Sequence, residues 1–486
     1  MTKPSVIMVT SNGVGAGHLM RASAIARELQ PHARPIIFSM AYSVVEVAQS
    51  LNLECEYVPS RDKGLMARKK WDNYLRDRLV ALIDETGASV VTFDGVVPYP
   101  GIVAAKFQRP HINLVWIRRG MWQRKPQGVL LGLQSKLMDY VIEPADVASD
   151  ADKGPTKGRK EALVVEPVTM YRKEDALDRS DARKLLGLDP QKPAVLVQMG
   201  VGDSDLDARV SAVFRGLSSW KDVQIVMARK PTSKDGLSLV PIGMSVKIVR
   251  HFPLADVLSA FDAAVCAAGY NTVHEIIPAG LPTLLIANNR GTDDQRSRAR
   301  YCAEYGLALY ADTESLEDIE HQSAKLSFAT LRSNLTTQCN SIATFGGAQK
   351  IATLLVALTD EMYTTLVNKR LYYQQLIAVA AYLRSPRFYL KRLINSMLRA
   401  LAIGFRTLFP HPTTEAAGEV IFSDSTNHKL LDRYIRKSER FEHLLSGSSQ
   451  NYVKVRKEIA IQAYGELELL GLEHQKEIET FLRFAS

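Results

Sequence analysis

Three groups of residues in this chain have the types and spacing to do chemistry on an anionic, hydroxyl-rich ligand. The first is Ser11-Asn-Gly-Val-Gly-Ala-Gly-His18, a glycine-rich turn that closes on a histidine. Glycines such as Gly15 and Gly17 let backbone come close to a ligand, and a helix start at that point favours anionic groups. A lone histidine is more often structural, but His18 at the mouth of such a turn is placed to act as a general base. The second group is Gly269-Tyr-Asn-Thr-Val-His-Glu275. Gly269 turns the chain, Asn271 and Thr272 are capping candidates for a helix, and Glu275 lies one turn in, where an acid can accept hydrogen bonds from a ribose diol. Past the next apolar run come Asp293, Asp294 and Gln295, polar groups suited to sugar hydroxyls. The third group, Gly200-Val-Gly-Asp-Ser204, sets Ser204 at a helix start and suits a diphosphate.

The elements that must hold these groups follow from hydrophobic period. Ser5–Thr10 reads as a buried strand and 18–30 as a helix. Strands at 35–39, 88–93 and 111–116 alternate with helical stretches around 42–51 and 64–86. Such alternation predicts a parallel α/β sheet. Asp94 ends the strand at 88–93, where it can orient His18 and hold its tautomer, or simply cap a turn. Arg118 and Arg119 can meet an acceptor phosphate, or sit in a solvated loop. The polar stretch 145–161 reads as an exposed loop, and a second block opens near Leu163, with Pro193–Met199 as its clearest strand. Asp262–Ala267 and Thr283–Ala287 read as further buried strands, and Pro278 keeps the helix between them short or kinked. A glycine turn after a first strand also suggests a dinucleotide fingerprint. That fingerprint needs an acid at the end of the next strand, and this one ends in Met40-Ala-Tyr.

Gly15-Ala-Gly17-His18, Ala268-Gly-Tyr-Asn-Thr-Val-His-Glu275, Gly280-Leu-Pro282 and Asp294-Gln295 together resemble the two-domain glycosyltransferases of the B-type fold. The pattern is most similar to the family that includes the N-acetylglucosaminyltransferase making lipid II. The resemblance spans roughly residues 1–355. It implies two Rossmann-like domains facing a cleft: an acceptor-side domain over 1–162 and a donor-sugar domain over 163–358, with a helical extension over 359–486. It implies an inverting, metal-independent transfer of a sugar from a nucleotide-diphosphate sugar, UDP-linked, to a hydroxyl of a glycolipid or polysaccharide, with no cofactor beyond the substrate. Catalysis would fall to His18 and Asp94. Gly15, Gly17, Gly200, Ser204, Gly269, Asn271, Thr272, Glu275, Asp294 and Gln295 would hold the donor, and the stretch from Arg250 would read the base through backbone groups. Arg21 stands where the lipid II enzymes usually carry proline, and this Gly-His-x-x-Arg form also resembles nucleotide-sugar hydrolases. A hydrolase, or a silent nucleotide-sugar-binding protein, is therefore the alternative.

Composition is consistent with two ordinary cores plus an addition: 486 residues, 46% apolar and 23% charged. Cys55, Cys266, Cys302 and Cys339 lack metal-ligand spacing and are expected as reduced thiols. No leader precedes the first strand and no apolar run of about 18 residues exists, so the expected location is cytoplasmic, peripheral on the inner face of the membrane. The charge is local: Met362 to Thr414 carries eight Lys or Arg and no acid, against +9 for the whole chain. On a helical wheel Arg384, Arg387, Lys391, Arg392, Arg399 and Arg406 share an arc of about 140° beside an apolar face. Residues 384–409 can thus lie on an anionic membrane surface or pack on the core. Nucleic acid is not expected, because no stacking aromatics or recognised binding motif accompany the stripe. Residues 424–484 read as amphipathic helices.

Overall fold

The computed structural model describes residues 3–11, 16–41, 43–60, 68–123, 128–200, 206–228, 246–249, 251–342 and 345–360. Gly15, Ser204, Arg250 and the segments 384–409 and 424–486 lie outside the described residues.

The first half alternates β1 (Ser5–Thr10), α1 (Gly17–Leu29), β2 (Arg34–Ser39), α2 (Val44–Leu51), β3 (Glu54–Tyr57), α3 (Arg68–Thr86), β4 (Val90–Asp94), α4 (Pro100–Gln108), β5 (Asn113–Ile117), α5 (Gly128–Ser135), β6 (Tyr140–Pro144) and β7 (Leu163–Val165). The strands form one parallel sheet in the order β3-β2-β1-β4-β5-β6-β7. Its central strands are buried on both faces, which is why they read as continuous apolar runs. Val6 and Met8 face one layer with Leu19 and Ile25 of α1. Ile7 and Val9 face the other with Leu75 and Leu79 of α3.

The second half repeats the plan with α6 (Arg179–Leu186), β8 (Ala194–Gln198), α7 (Leu206–Leu217), β9 (Gln224–Ala228), β10 (Val246–Val249), β11 (Ala263–Ala267), α8 (Tyr270–Ile276), β12 (Thr283–Ile286), α9 (Gln295–Glu304), β13 (Leu309–Ala311), α10 (Leu316–Lys325), α11 (Ala329–Asn340) and α12 (Gly347–Ala357). The order β10-β9-β8-β11-β12-β13 is again parallel. The two parallel sheets are the α/β architecture expected from the sequence.

Three boundaries differ from the sequence reading. Leu163–Val165 does not open the second block; it pairs with β6 as the last strand of the first sheet. The stretch 145–161 is not simply an exposed loop, because Asp146, Ala148, Asp152 and Thr156 are buried. Helix α12, within the span assigned to the donor domain, packs its Ile351, Ala352 and Leu355 into the first core against α1. Asn113 Nδ2 also donates to Leu358 O at 2.9 Å. α8 is short, as Pro278 required.

In each sheet the strand order reverses once, between β1 and β4 and between β8 and β11. Open α/β sheets bind ligands at the carboxyl ends of strands at such switch points. His18 follows β1 and Asp94 ends β4; Gly200 follows β8 and Gly269 follows β11. All four candidate loops therefore fall at the two switch points.

Candidate functional site

On the first sheet, α1 begins one residue before His18, and β4 delivers Asp94 beside it. His18 Nδ1 lies 2.7 Å from Asp94 Oδ1, a hydrogen bond. The His18 side chain is 15% exposed and that of Asp94 2%, so the carboxylate is buried while the imidazole keeps partial access to solvent. Burial holds His18 below its ordinary value, against the raising effect of Asp94, with Arg21 and Arg119 lowering it further. Burial would raise Asp94, but Arg21 and His18 outweigh it and keep the carboxylate ionised.

On the second sheet, α8 starts at Gly269 without a side-chain cap. Asn271 and Thr272, the capping candidates, do not serve as caps. Asn271 instead reaches across the cleft, its Nδ2 donating to Gly17 O at 3.0 Å. The Glu275 carboxyl makes no hydrogen bond or ion pair among the described residues, and burial, aided by Asp256, pushes it up to about 8. Asp294 caps α9: Oδ1 accepts from Ser297 N at 3.0 Å and Oδ2 from Ser297 Oγ at 2.8 Å. Gln295 is tied inside the loop, Oε1 accepting from Asn288 N at 2.9 Å and Nε2 donating to Asp293 Oδ2 at 3.1 Å. The pair Asp294–Gln295 therefore shapes the loop rather than projecting two free side chains.

Arg118 is a correction. It is fully buried, bound to Glu143, Glu161 and Ser135, and so turns away from any phosphate. Arg119 is engaged too: it meets Asp293 at 2.9 Å and donates to Thr292 O at 2.7 Å, joining the two domains.

Sequence reasoning missed Asn288. Its Nδ2 donates to Met199 O at 2.9 Å, while Oδ1 is buried with no partner among the described residues. It abuts Gly200, whose φ of +79° suits glycine and whose added Cβ would lie 2.8 Å from Asn288 Nδ2. An acceptor buried without a partner costs free energy unless a ligand supplies the donor. Only the position of Asn288 just past a buried strand hinted at this.

The domains meet through a second buried set that no local pattern announced. Arg298 Nε donates to Asp146 Oδ2 at 2.8 Å, Nη1 to Ala268 O at 2.8 Å and Nη2 to Asp293 Oδ1 at 2.9 Å. Although burial raises a carboxyl, Arg119 and Arg298 hold Asp293 at about 2. Tyr270 OH accepts from Val168 N and donates to Ala145 O, both at 3.0 Å. His274 Nε2 accepts from Val147 N at 2.9 Å and Nδ1 donates to Tyr270 O at 2.7 Å. Burial keeps this imidazole neutral, with its value lowered to about 4.

Residues 205–352 match the family model described as the glycosyltransferase family 28 C-terminal domain. Solved structures with the same fold include the glycotransferase of kitacinnamycin (15% identity, TM-score 0.53, 74% of this chain and all of that one). They also include the UDP-GlcNAc 2-epimerase of Neisseria meningitidis (12%, TM-score 0.53, 73% of this chain and all of that one). The class these comparisons define is the fold, the two-domain B-type architecture, with a glycosyltransferase family 28 C-terminal domain matched over residues 205–352. Among curated proteins, the chain is similar to the UDP-N-acetylglucosamine--N-acetylmuramyl-(pentapeptide) pyrophosphoryl-undecaprenol N-acetylglucosamine transferase of Fusobacterium nucleatum. That relative is 24% identical over 65% of this chain and 88% of its own. The enzyme of the same name from Thermus thermophilus is 25% identical over 65% of this chain and 92% of its own.

Proposed function

We propose that this chain moves N-acetylglucosamine from UDP-N-acetylglucosamine to a hydroxyl of a lipid-linked acceptor, with inversion at the anomeric carbon. The observation that carries the reading is the His18–Asp94 pair at one switch point, facing the Gly200, Gly269 and Glu275 loops at the other. The names of the curated relatives support the choice of donor and acceptor.

In this reading His18 Nε2 takes the proton of the acceptor hydroxyl as that oxygen attacks the anomeric carbon. Asp94 keeps the other ring proton on Nδ1 and stabilises the imidazolium that forms. UDP departs from the opposite face. Its charge is met by backbone N–H groups at the start of α7 and at the Gly269 turn, without a metal ion. Glu275 accepts from the ribose diol, and Asn288 Oδ1 accepts from the sugar. Arg119, locked to Asp293, holds the two loops together and is not assigned to a phosphate. The basic segment 384–409 is assigned to an anionic membrane surface, and the enzyme to the cytoplasmic side. No helix among the described residues is long and apolar enough to cross a membrane.

The test supplies radiolabelled UDP-N-acetylglucosamine to the purified full chain, with and without undecaprenyl-pyrophosphoryl-N-acetylmuramyl-pentapeptide in vesicles and with excess EDTA. Label is expected in the lipid, only with acceptor, at a rate EDTA leaves unchanged. Free sugar released without acceptor would make the chain a hydrolase; binding without turnover would make it a silent binding protein.

A further inference from the structure

Arg21 lies three residues after His18 on α1, hence on the same helix face. It is 3% exposed. Its Nε donates to Asp94 Oδ2 at 2.7 Å, and its Nη2 donates to Asp94 Oδ1. That second oxygen is also the one that receives His18 Nδ1, and Arg21 Nη2 stands 3.3 Å from the imidazole nitrogen. The guanidinium rests 5.4 Å from the centre of the Tyr270 ring on the opposite domain.

We propose that Arg21 is a positioning residue that fixes Asp94 in a two-toothed grip, so that His18 keeps its proton on Nδ1 and presents a bare Nε2 to the cleft. This rests on the reading of His18 as the general base.

The argument is one of donors, acceptors and charge. A guanidinium has only donors and is always charged. Gripped by it, Asp94 is an ionised acceptor, so the short contact to His18 needs its proton on the imidazole. The charges then close locally: Arg21 cancels Asp94, and Arg119 and Arg298 face Asp293 and Asp146. Without Arg21, a buried carboxylate would have His18 as its sole adjacent cation-former among the described residues. The pair would settle as imidazolium and carboxylate, and an imidazolium cannot take a proton. The charged and titratable groups facing His18 are Asp94 from β4, Arg21 from α1 and Arg119 from the segment after β5. Tyr270 and Asp293 of the second domain act on Arg21.

The test is nitrogen-15 histidine NMR of the full-length chain without substrate, with His18→Gln to assign the resonance. Wild type is expected to show His18 with its proton on Nδ1, titrating below the ordinary histidine value. In Arg21→Met the titration is expected to move up by about 1 pH unit or more, since an unbalanced carboxylate within contact stabilises imidazolium. Arg21→Lys keeps the charge but loses the fork, so its titration should stay near wild type while part of the proton population shifts to Nε2. Should Arg21→Met not fold, the tautomer of Arg21→Lys decides. Folded variants with the wild-type tautomer and titration would overturn the proposal. Because no substrate is used, a different donor or acceptor would defeat the functional reading and leave this result standing.

Discussion

Arg298 Nε and Asp146 Oδ2 stand 2.8 Å apart across the two domains, the arginine fully buried and the aspartate 3% exposed. Asp293 shares the same guanidinium. Cutting a buried pair on one side leaves an uncompensated charge in a low-dielectric site. Arg298→Met, which strands Asp146 and leaves Asp293 to Arg119 alone, is expected to lower the free energy of unfolding by about 3–5 kcal/mol. Urea denaturation checks this, and Asp146→Asn added to Arg298→Met should cost less than the sum of the two single changes.

His274 makes stability depend on pH. Its imidazole is neutral in the folded chain down to about 4, against an ordinary value of 6.5, because it is buried. Between those values the unfolded chain binds a proton that the folded chain refuses, so stability falls as pH drops from about 6.5 to about 4. The expected loss is up to about 3 kcal/mol. Glu275 acts oppositely: raised to about 8 by burial, it contributes stability below its ordinary value that is lost as pH rises through 8. Comparison with His274→Gln isolates the histidine, since glutamine can still accept from Val147 N. The acid-side slope of the urea midpoint should flatten in that variant.

The fold and the halves of the site were legible where the signal is local. Buried parallel strands read as apolar runs, and the turns at Gly17, Gly200 and Gly269 interrupt them visibly. What failed depends on partners far along the chain. Arg118 reads like its neighbour Arg119, and only the return of Glu143 and Glu161 shows that it is buried. Leu163–Val165 follows a polar stretch, so it looks like the start of a new unit until its pairing with β6 is seen. Asp146 joins Arg298 over 152 positions. Arg21 was legible as a departure from a motif, but its grip on Asp94 spans 73 positions.

Glu275 predicts that nucleotide binding releases a proton. Free, the carboxyl is raised to about 8 by burial and by Asp256, so at pH 7 it is mostly protonated. Two ribose hydroxyls donating to it favour the ionised form. UDP affinity should therefore rise between pH 7 and pH 9, and calorimetry in buffers of different ionisation heat should show the released proton. Glu275→Gln is expected to weaken UDP binding about 10- to 100-fold, as for hydrogen bonds to a charged group, and to flatten the pH dependence.

If Asn288 Oδ1 meets the sugar as proposed, its substitution should separate sugar recognition from nucleotide recognition. Its Oδ1 is buried and without a partner among the described residues, while its Nδ2 holds Met199 O. Asn288→Asp keeps the shape but replaces that donor with an acceptor facing a carbonyl, so it should disturb the Gly200 turn and weaken both UDP and UDP-N-acetylglucosamine. Asn288→Ser removes the orphaned acceptor. It also removes the Nδ2 donor, a loss common to both ligands, so UDP-N-acetylglucosamine should weaken by about 5- to 10-fold more than UDP does, the range of one neutral hydrogen bond. Equal loss for both ligands in Asn288→Ser would remove Asn288 from the sugar site.

In the proposed mechanism His18 and Asp94 carry the chemistry, so their effects should fall on turnover rather than on donor binding. His18→Ala is expected to lower kcat by about 100- to 10,000-fold, the usual contribution of a positioned base, with the Kd for UDP-N-acetylglucosamine nearly unchanged. Asp94→Asn leaves an amide that can still orient the ring but cannot balance an imidazolium, so kcat falls while the donor still binds. Because burial holds His18 below its ordinary value, the base is in its active neutral form at pH 7, and the acid limb of kcat/KM should lie below pH 6.5. Full activity of His18→Ala in the vesicle assay would place the base elsewhere in the cleft.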